Sequence, residues 1–249
     1  MLNALRIELL KSRRTKSFFI TVVLMIVALL WNIVSLGDEL HSIKFDSVGV
    51  LFNNQTMNSF FLPIAISIFT SRIVSNEING QTFKLQNANG TTTTQIFNRK
   101  LILASLFFLF ISAVETRATS IFALINGTHV SMQIIIVQTL GQFLASFTLI
   151  CIYLSLAMII KKQGVLLSLG FIGGFIGLVL ASKSTSFWSF LIPWIGCSYL
   201  SPYKFALIDS TIYNYFLDQL ILFKMLVYLL YAVLLYFVVR AIIERKERV

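Results

Sequence analysis

Glu115 and Arg117 are the two charged side chains that interrupt the apolar run 101–125, and charge in such a place is where chemistry would first be sought. At i, i+2 they point to different faces of a helix, so they are not a natural ion pair with each other. Charged groups in an apolar span are costly and face a cavity or a partner. One reading makes them a polar wall in a translocation pathway. The plainer readings are an interhelical salt bridge, or a span that ends before them. Other reactive groups are sparse. His41 and His129 lie far apart in polar segments, which gives no metal site. Cys151 falls in an apolar run and, with Cys197, is too little for a disulfide framework. The chain has no Gly-rich phosphate loop, no His-Glu-x-x-His pair and no nucleophile elbow. No catalytic site is expected, and no cofactor bound by this chain.

The elements that hold these residues are set by composition. Apolar residues make up 57% of the 249 and charged residues 12%, with a mean hydropathy of +0.85. Soluble domains carry about twice that charged fraction. The expected fold is all-α: a single transmembrane domain, polytopic, with six spans at 18–36, 59–74, 101–125, 132–160, 164–181 and 219–239. The apolar run after the basic start is too long for a signal-peptide core and lacks a small-residue cleavage site, so it reads as a retained first span. Residues 1–17 hold Arg6, Lys11, Arg13, Arg14 and Lys16 against Glu8, with leucines at helical spacing. They fit an amphipathic helix on the membrane surface, in contact with lipid.

The net charge of +10 follows the same topology. Basic residues concentrate in 1–17, in 72–100, at Lys161–Lys162 and in 240–249, whereas the opposite loops hold only Lys44, Lys183 and Lys204. The positive-inside rule then places both termini in the cytoplasm of a cell-membrane protein, and the charge needs no nucleic acid to explain it.

Residues 72–100 form the longest polar stretch, expected as a cytoplasmic loop that docks on a separate energy-supplying protein. Gly170, Gly173, Gly174 and Gly177 make two overlapping G-x-x-x-G patterns, a signal for close helix packing within the subunit or between subunits. Pro63 beside Phe60 and Phe61 would suit a lateral gate, and an ordinary helix start explains it equally. Residues 182–218, rich in Trp, Tyr and Pro, are expected as short helices in an outer, re-entrant cap.

Six spans, with Glu77, Gly80, Gln81, Thr82, Lys84 and Leu85 followed by Arg99 and Lys100, resemble the permease subunits of ABC-2 type (type V fold) ABC transporters. In that family a Glu-x-x-x-Gly-Thr segment follows the second span. Here Gln81 separates the Gly from the Thr, and Asn89-Gly90 stands where a proline is usual. Size and style further resemble the compact permeases of lantibiotic-immunity and amphipathic-peptide export systems, including phenol-soluble-modulin exporters. The resemblance implies an ATPase-coupling helix made of Glu77, Gly80, Gln81, Thr82, Phe83, Lys84 and Leu85. It implies a permease homo- or heterodimer and a partner ATPase that binds the ATP and magnesium. The expected function is ATP-driven export of an amphiphilic substrate: an antimicrobial or cytolytic peptide, or a drug- or lipid-like molecule. The alternative is an ATPase-independent channel or secondary transporter, which would need coupling-ion residues at the midplane and often inverted repeats. A membrane-embedded enzyme would need a catalytic pair at one depth, and a membrane anchor for an ATPase sensor is a further rival.

Overall fold

The computed structural model describes residues 9–10, 16–36, 47–53, 56–80, 82–160, 162–209 and 212–248. Most of the surface helix expected over 1–17 lies outside these residues. Among the described residues, six helices are long and apolar enough to cross a membrane. In hydrocarbon a backbone must satisfy its own hydrogen bonds, so even β-branched runs such as Thr21-Val22-Val23 fold as helix.

The chain runs α1 (Ser17–Leu36), a short α2 (Ser47–Asn53), α3 (Thr56–Asn79), a short α4 (Thr82–Ala88), α5 (Thr93–Ile125), α6 (Met132–Ile159) and α7 (Gln163–Leu180). Three 3-10 turns follow at Ala181–Lys183, Phe187–Leu191 and Pro193–Ile195. Then come α8 (Gly196–Tyr199), the strands β1 (Tyr203–Asp209) and β2 (Ile212–Leu217), and α9 (Ile221–Arg248). The helix ends carry local signals. The Thr92 hydroxyl accepts the Gln95 N–H at 3.2 Å to start α5, and the Ser131 hydroxyl does the same for Ile134 at 3.4 Å in α6. Gly127, at φ +77°, supplies the left-handed residue that turns α5 into α6.

α3 is the hub. It packs against α1, α6 and α7, and α5 lies along α6. Its small and hydroxyl residues, Ser59, Ala65, Ser67, Thr70 and Ser71, are buried and let neighbouring backbones approach. The hydroxyls do not go unpaired in this setting. Ser67 donates to the Ile64 carbonyl at 2.8 Å, and Thr70 donates to that of Ile66 at 2.7 Å. An aromatic knot of Phe18, Phe69, Phe107 and Phe108 joins α1, α3 and α5, with ring centroids 4.6–5.7 Å apart. At the other extreme, α1 and α9 leave broad apolar faces exposed, among them Phe19, Ile26, Leu30, Leu222, Leu230 and Phe237. A surface of that kind suits lipid or another membrane subunit.

Three expectations change. The polar stretch 72–100 is mostly helical, and the single helix expected over Glu77–Leu85 is divided: α3 continues through Asn79, α4 occupies the middle and α5 begins at Thr93. Polarity there marks the exit from the apolar layer and not the end of the helix. Residues 182–218 contain turns and one short helix, as expected, but also an antiparallel β-hairpin pairing Tyr203 with Leu217 and Phe205 with Tyr215. Aromatic residues at alternate positions, Tyr203 and Phe205 in one strand and Tyr213 and Tyr215 in the other, carry that preference. The hairpin packs on α2, where Ser201 donates to the Phe52 carbonyl at 2.8 Å, so it closes one end of the bundle. The charged segment 240–249 also reads differently: α9 runs to Arg248, with Arg240 donating to Glu244 at 2.8 Å.

Candidate functional site

The connector between α3 and α5 is built around Glu77. Its carboxylate lies 3.0 Å from the Lys100 ammonium, and both side chains are almost wholly buried. Lys100 also donates to the Ile73 carbonyl at 3.2 Å, and Gln86 of α4 donates to Glu77 at 3.3 Å. One carboxylate therefore ties the end of α3, the middle of α4 and the first turns of α5. Two shorter links complete the bend. The Gly80 N–H donates to the Asn76 carbonyl at 3.0 Å, and the Thr82 hydroxyl donates to the Glu77 carbonyl at 3.2 Å. After α4, Gly90 at φ +76° reverses the chain, an αL position that an L side chain rarely takes.

Of the expected coupling residues, Glu77 faces inward and Gly80 and Leu85 are exposed. Thr82, Phe83, Lys84 and Leu85 share α4, and Gln81 lies outside the described residues. Leu85 is 63% exposed, and Asn76, Asn79, Asn89 and Thr92 of the same connector are exposed as well. Sequence reading placed Lys100 only as a boundary residue. Its spacing from Glu77 gives no hint that the two meet, because the pairing depends on α4 folding back.

The glycine stripe of α7 faces α3. A methyl placed on Gly174 would stand 2.6 Å from the Phe60 carbonyl oxygen, and one on Gly177 would stand 2.5 Å from that of Ser59. Gly170 meets Ser67, and Gly173 makes room for Trp194 and the Tyr153 hydroxyl. Trp194 donates to that hydroxyl at 3.0 Å, and Tyr153 donates to the Leu169 carbonyl at 3.0 Å. Pro63 is buried within α3. It has no N–H to give the Ser59 carbonyl four residues earlier, and that carbonyl is the one Gly177 packs on. Phe60 and Phe61 are half-buried, and the Phe60 ring meets the exposed Phe175 at 5.3 Å. This places an aromatic patch along the outer edge of the α3–α7 seam.

Glu115 is buried on α5, while Arg117 is exposed on another face. Among the described residues the partners of Glu115 are uncharged amides from other helices. α5 continues past Glu115 to Ile125, so the span does not end early. Gln142 of α6 donates to the Glu115 carboxylate, as does Asn58 of α3 at 3.5 Å, and Asn32 of α1 donates to Asn58 at 3.5 Å. The sequence reading missed Gln138 and Gln142, whose i, i+4 spacing on an apolar helix is the one signal that could have pointed to this cluster.

Beyond it, beneath the hairpin, Lys204, Asp218 and Lys224 are buried together. Asp218 pairs with Lys224 and caps α9 by accepting the Leu220 N–H at 3.1 Å. Lys204 donates to the Ser198 carbonyl and, at 2.9 Å, to that of Tyr199. Burial, with the Lys224 charge nearby, lowers Lys204 from the usual lysine range to about 7, although Asp218 opposes the shift.

Six spans with a folded-back polar connector after the second invite comparison with known families. A model of the ABC-2 family transporter proteins matches residues 4–180. The chain belongs to that family. A comparison with curated proteins matched none, and neither did one with solved structures. This ABC-2 protein is thus a multi-pass membrane protein and a permease subunit of an ABC transporter. Membership implies, in general terms, an ATPase partner and a dimeric permease assembly. Such permeases are transport components and generally non-catalytic. The match ends with α7, so the hairpin and α9 lie beyond it.

Proposed function

We propose that this permease exports an amphiphilic substrate, a membrane-active peptide or a drug- or lipid-like molecule, and that a separate ATPase docks on the α3–α4–α5 connector. The observation that carries the docking face is the Glu77–Lys100 pair, which joins α3 to α5 while Gln86 ties α4 to the same carboxylate and Leu85 stays exposed. A lever needs that combination: a stiff attachment to two spans and an exposed contact. Glu77 and Lys100 position the helix, and Leu85 with its polar surround makes the contact. Both termini lie in the cytoplasm with the connector, in keeping with the basic segments at 1–17, 72–100 and 240–249. ATP and magnesium are held by the partner.

The amphiphilic class is supported by the Phe60–Phe61–Phe175 patch at the α3–α7 seam and by the scarcity of charge within the spans. A substrate arriving from the lipid would meet aromatic surface first. The test is affinity purification of the chain from native membranes in mild detergent. A stoichiometric Walker-A ATPase is expected, with ATP hydrolysis stimulated by amphiphilic peptides. Recovery of the chain alone, under conditions that preserve other membrane complexes, would favour a channel or secondary transporter. Stimulation by a hydrophilic sugar only would remove the substrate class.

A further inference from the structure

The Glu115 network surrounds a cavity of about 20 Å³ between α1, α2, α3, α5 and α6. Its polar lining includes Asn32, Asn58, Glu115, Gln138 and Gln142, and its apolar lining includes Leu29 and Phe52. A cavity needs roughly 10–15 Å³ on this measure to admit a water-sized occupant, so one small head group fits.

We infer that this cavity is a binding site for a monovalent cationic head, either an alkylammonium group or a bare monovalent metal ion. Three observations carry the inference. Glu115 is 6% exposed, and among the described residues no Lys, Arg or His lines the cavity to balance its charge. Both amide donors, from Gln142 and Asn58, go to one carboxylate oxygen, Oε2. The other oxygen, Oε1, has no hydrogen-bond partner, and neither does Oε1 of Gln138, a residue only 1% exposed. Two unpartnered acceptor oxygens, one of them on a carboxyl group, therefore border the cavity beside the amide and hydroxyl groups of Asn32, Asn58, Thr116 and Thr119. An ammonium has three donors and no acceptor, and a metal ion likewise takes oxygen lone pairs. A buried carboxyl group is either protonated or balanced by a positive charge, and a single carboxylate matches a single charge. Among the described residues no group of three His, Cys, Asp or Glu could hold a metal ion, which argues against a divalent site.

This inference stands apart from the exporter reading, because binding needs neither the ATPase nor a direction of transport. The test uses the full chain in nanodiscs of zwitterionic lipid. Thermal unfolding is followed while sodium, potassium or ethylammonium chloride replaces choline chloride at constant ionic strength. A saturable rise in melting temperature with at least one of the three is expected, with loss of that rise in E115Q. Q138L should weaken the response about tenfold, the equivalent of roughly 1.4 kcal/mol. Ethylammonium alone would mark an amine site, and sodium or potassium alone would mark a free-ion site. Equal behaviour in all salts, the same rise in E115Q, or a response to pH with none to cations would overturn the inference. If E115Q does not fold, the wild-type titration and Q138L decide it.

Discussion

Glu77 and Lys100 meet at 3.0 Å, each nearly out of solvent, although 23 positions of chain and a whole short helix separate them. Removing one member of a buried pair leaves the other charged and unpaired, at a cost of roughly 3–5 kcal/mol. E77A and K100A should each lower the melting temperature of the purified protein and loosen its association with the ATPase. The double variant E77L/K100M should recover much of the stability, because an apolar pair of similar volume escapes the desolvation cost. Thermal unfolding in detergent, paired with ATPase co-purification, checks both halves. Wild-type values for E77A in both measurements would deny the pair either role.

Leu85 separates contact from scaffold. It is exposed at the tip of the connector, where a large apolar side chain gains nothing within the monomer. L85D should leave the stability within about 0.5 kcal/mol of wild type, as surface changes usually do. It should nevertheless reduce ATPase recovery and substrate-stimulated hydrolysis. Unchanged ATPase recovery with L85D would move the docking face elsewhere.

The membrane class, the number of spans and the glycine-bearing helix were legible in the sequence because hydropathy and small-residue spacing are local. The connector was legible as polar, and the family resemblance implied a helix over Glu77–Leu85, but not that α3 itself supplies the first part of it and α4 the second. Hydropathy reports the exit from lipid at Arg72, whereas the helix itself continues to Asn79. The hairpin was missed because aromatic residues near an interface suit a surface helix as readily as a strand, and its pairing is decided by α2 packing against it. Glu115 was visible as an anomaly, but its partners Asn58, Gln138 and Gln142 come from other helices and carry no charge to draw attention. The Lys204–Asp218–Lys224 cluster is likewise assembled by the tertiary fold, with the three residues scattered across a strand, a turn and a span.

The α3–α7 seam gives a steric prediction. Gly174 and Gly177 each face a carbonyl oxygen of α3 at a distance no methyl tolerates, so G174A and G177A should force the helices apart. Overpacking of this kind costs about 1–3 kcal/mol. G164A is the matched control, since nothing lies within 4 Å of a methyl placed there. Melting temperatures of the three variants should separate the first two from the third. If G174A and G177A are as stable as G164A, the helices are not in close contact at these positions.

Lys204 ties stability to pH. Its folded-state value near 7 lies below the ordinary 10.5, chiefly because the ammonium is buried. Between those values the unfolded chain binds a proton at this lysine and the folded chain does not. Stability rises with pH wherever the unfolded state binds more protons, so this lysine's contribution should improve from pH 7 toward pH 10.5 and be flat below 7. K204M removes the titrating group and should flatten that part of the profile. It also leaves the Ser198 and Tyr199 carbonyls without their donor, which lowers stability at every pH by a constant amount. The slope and the offset are therefore distinguishable. Melting temperatures of wild type and K204M from pH 7 to 10 should converge or cross as pH falls, and parallel profiles would show that Lys204 stays charged in the folded protein.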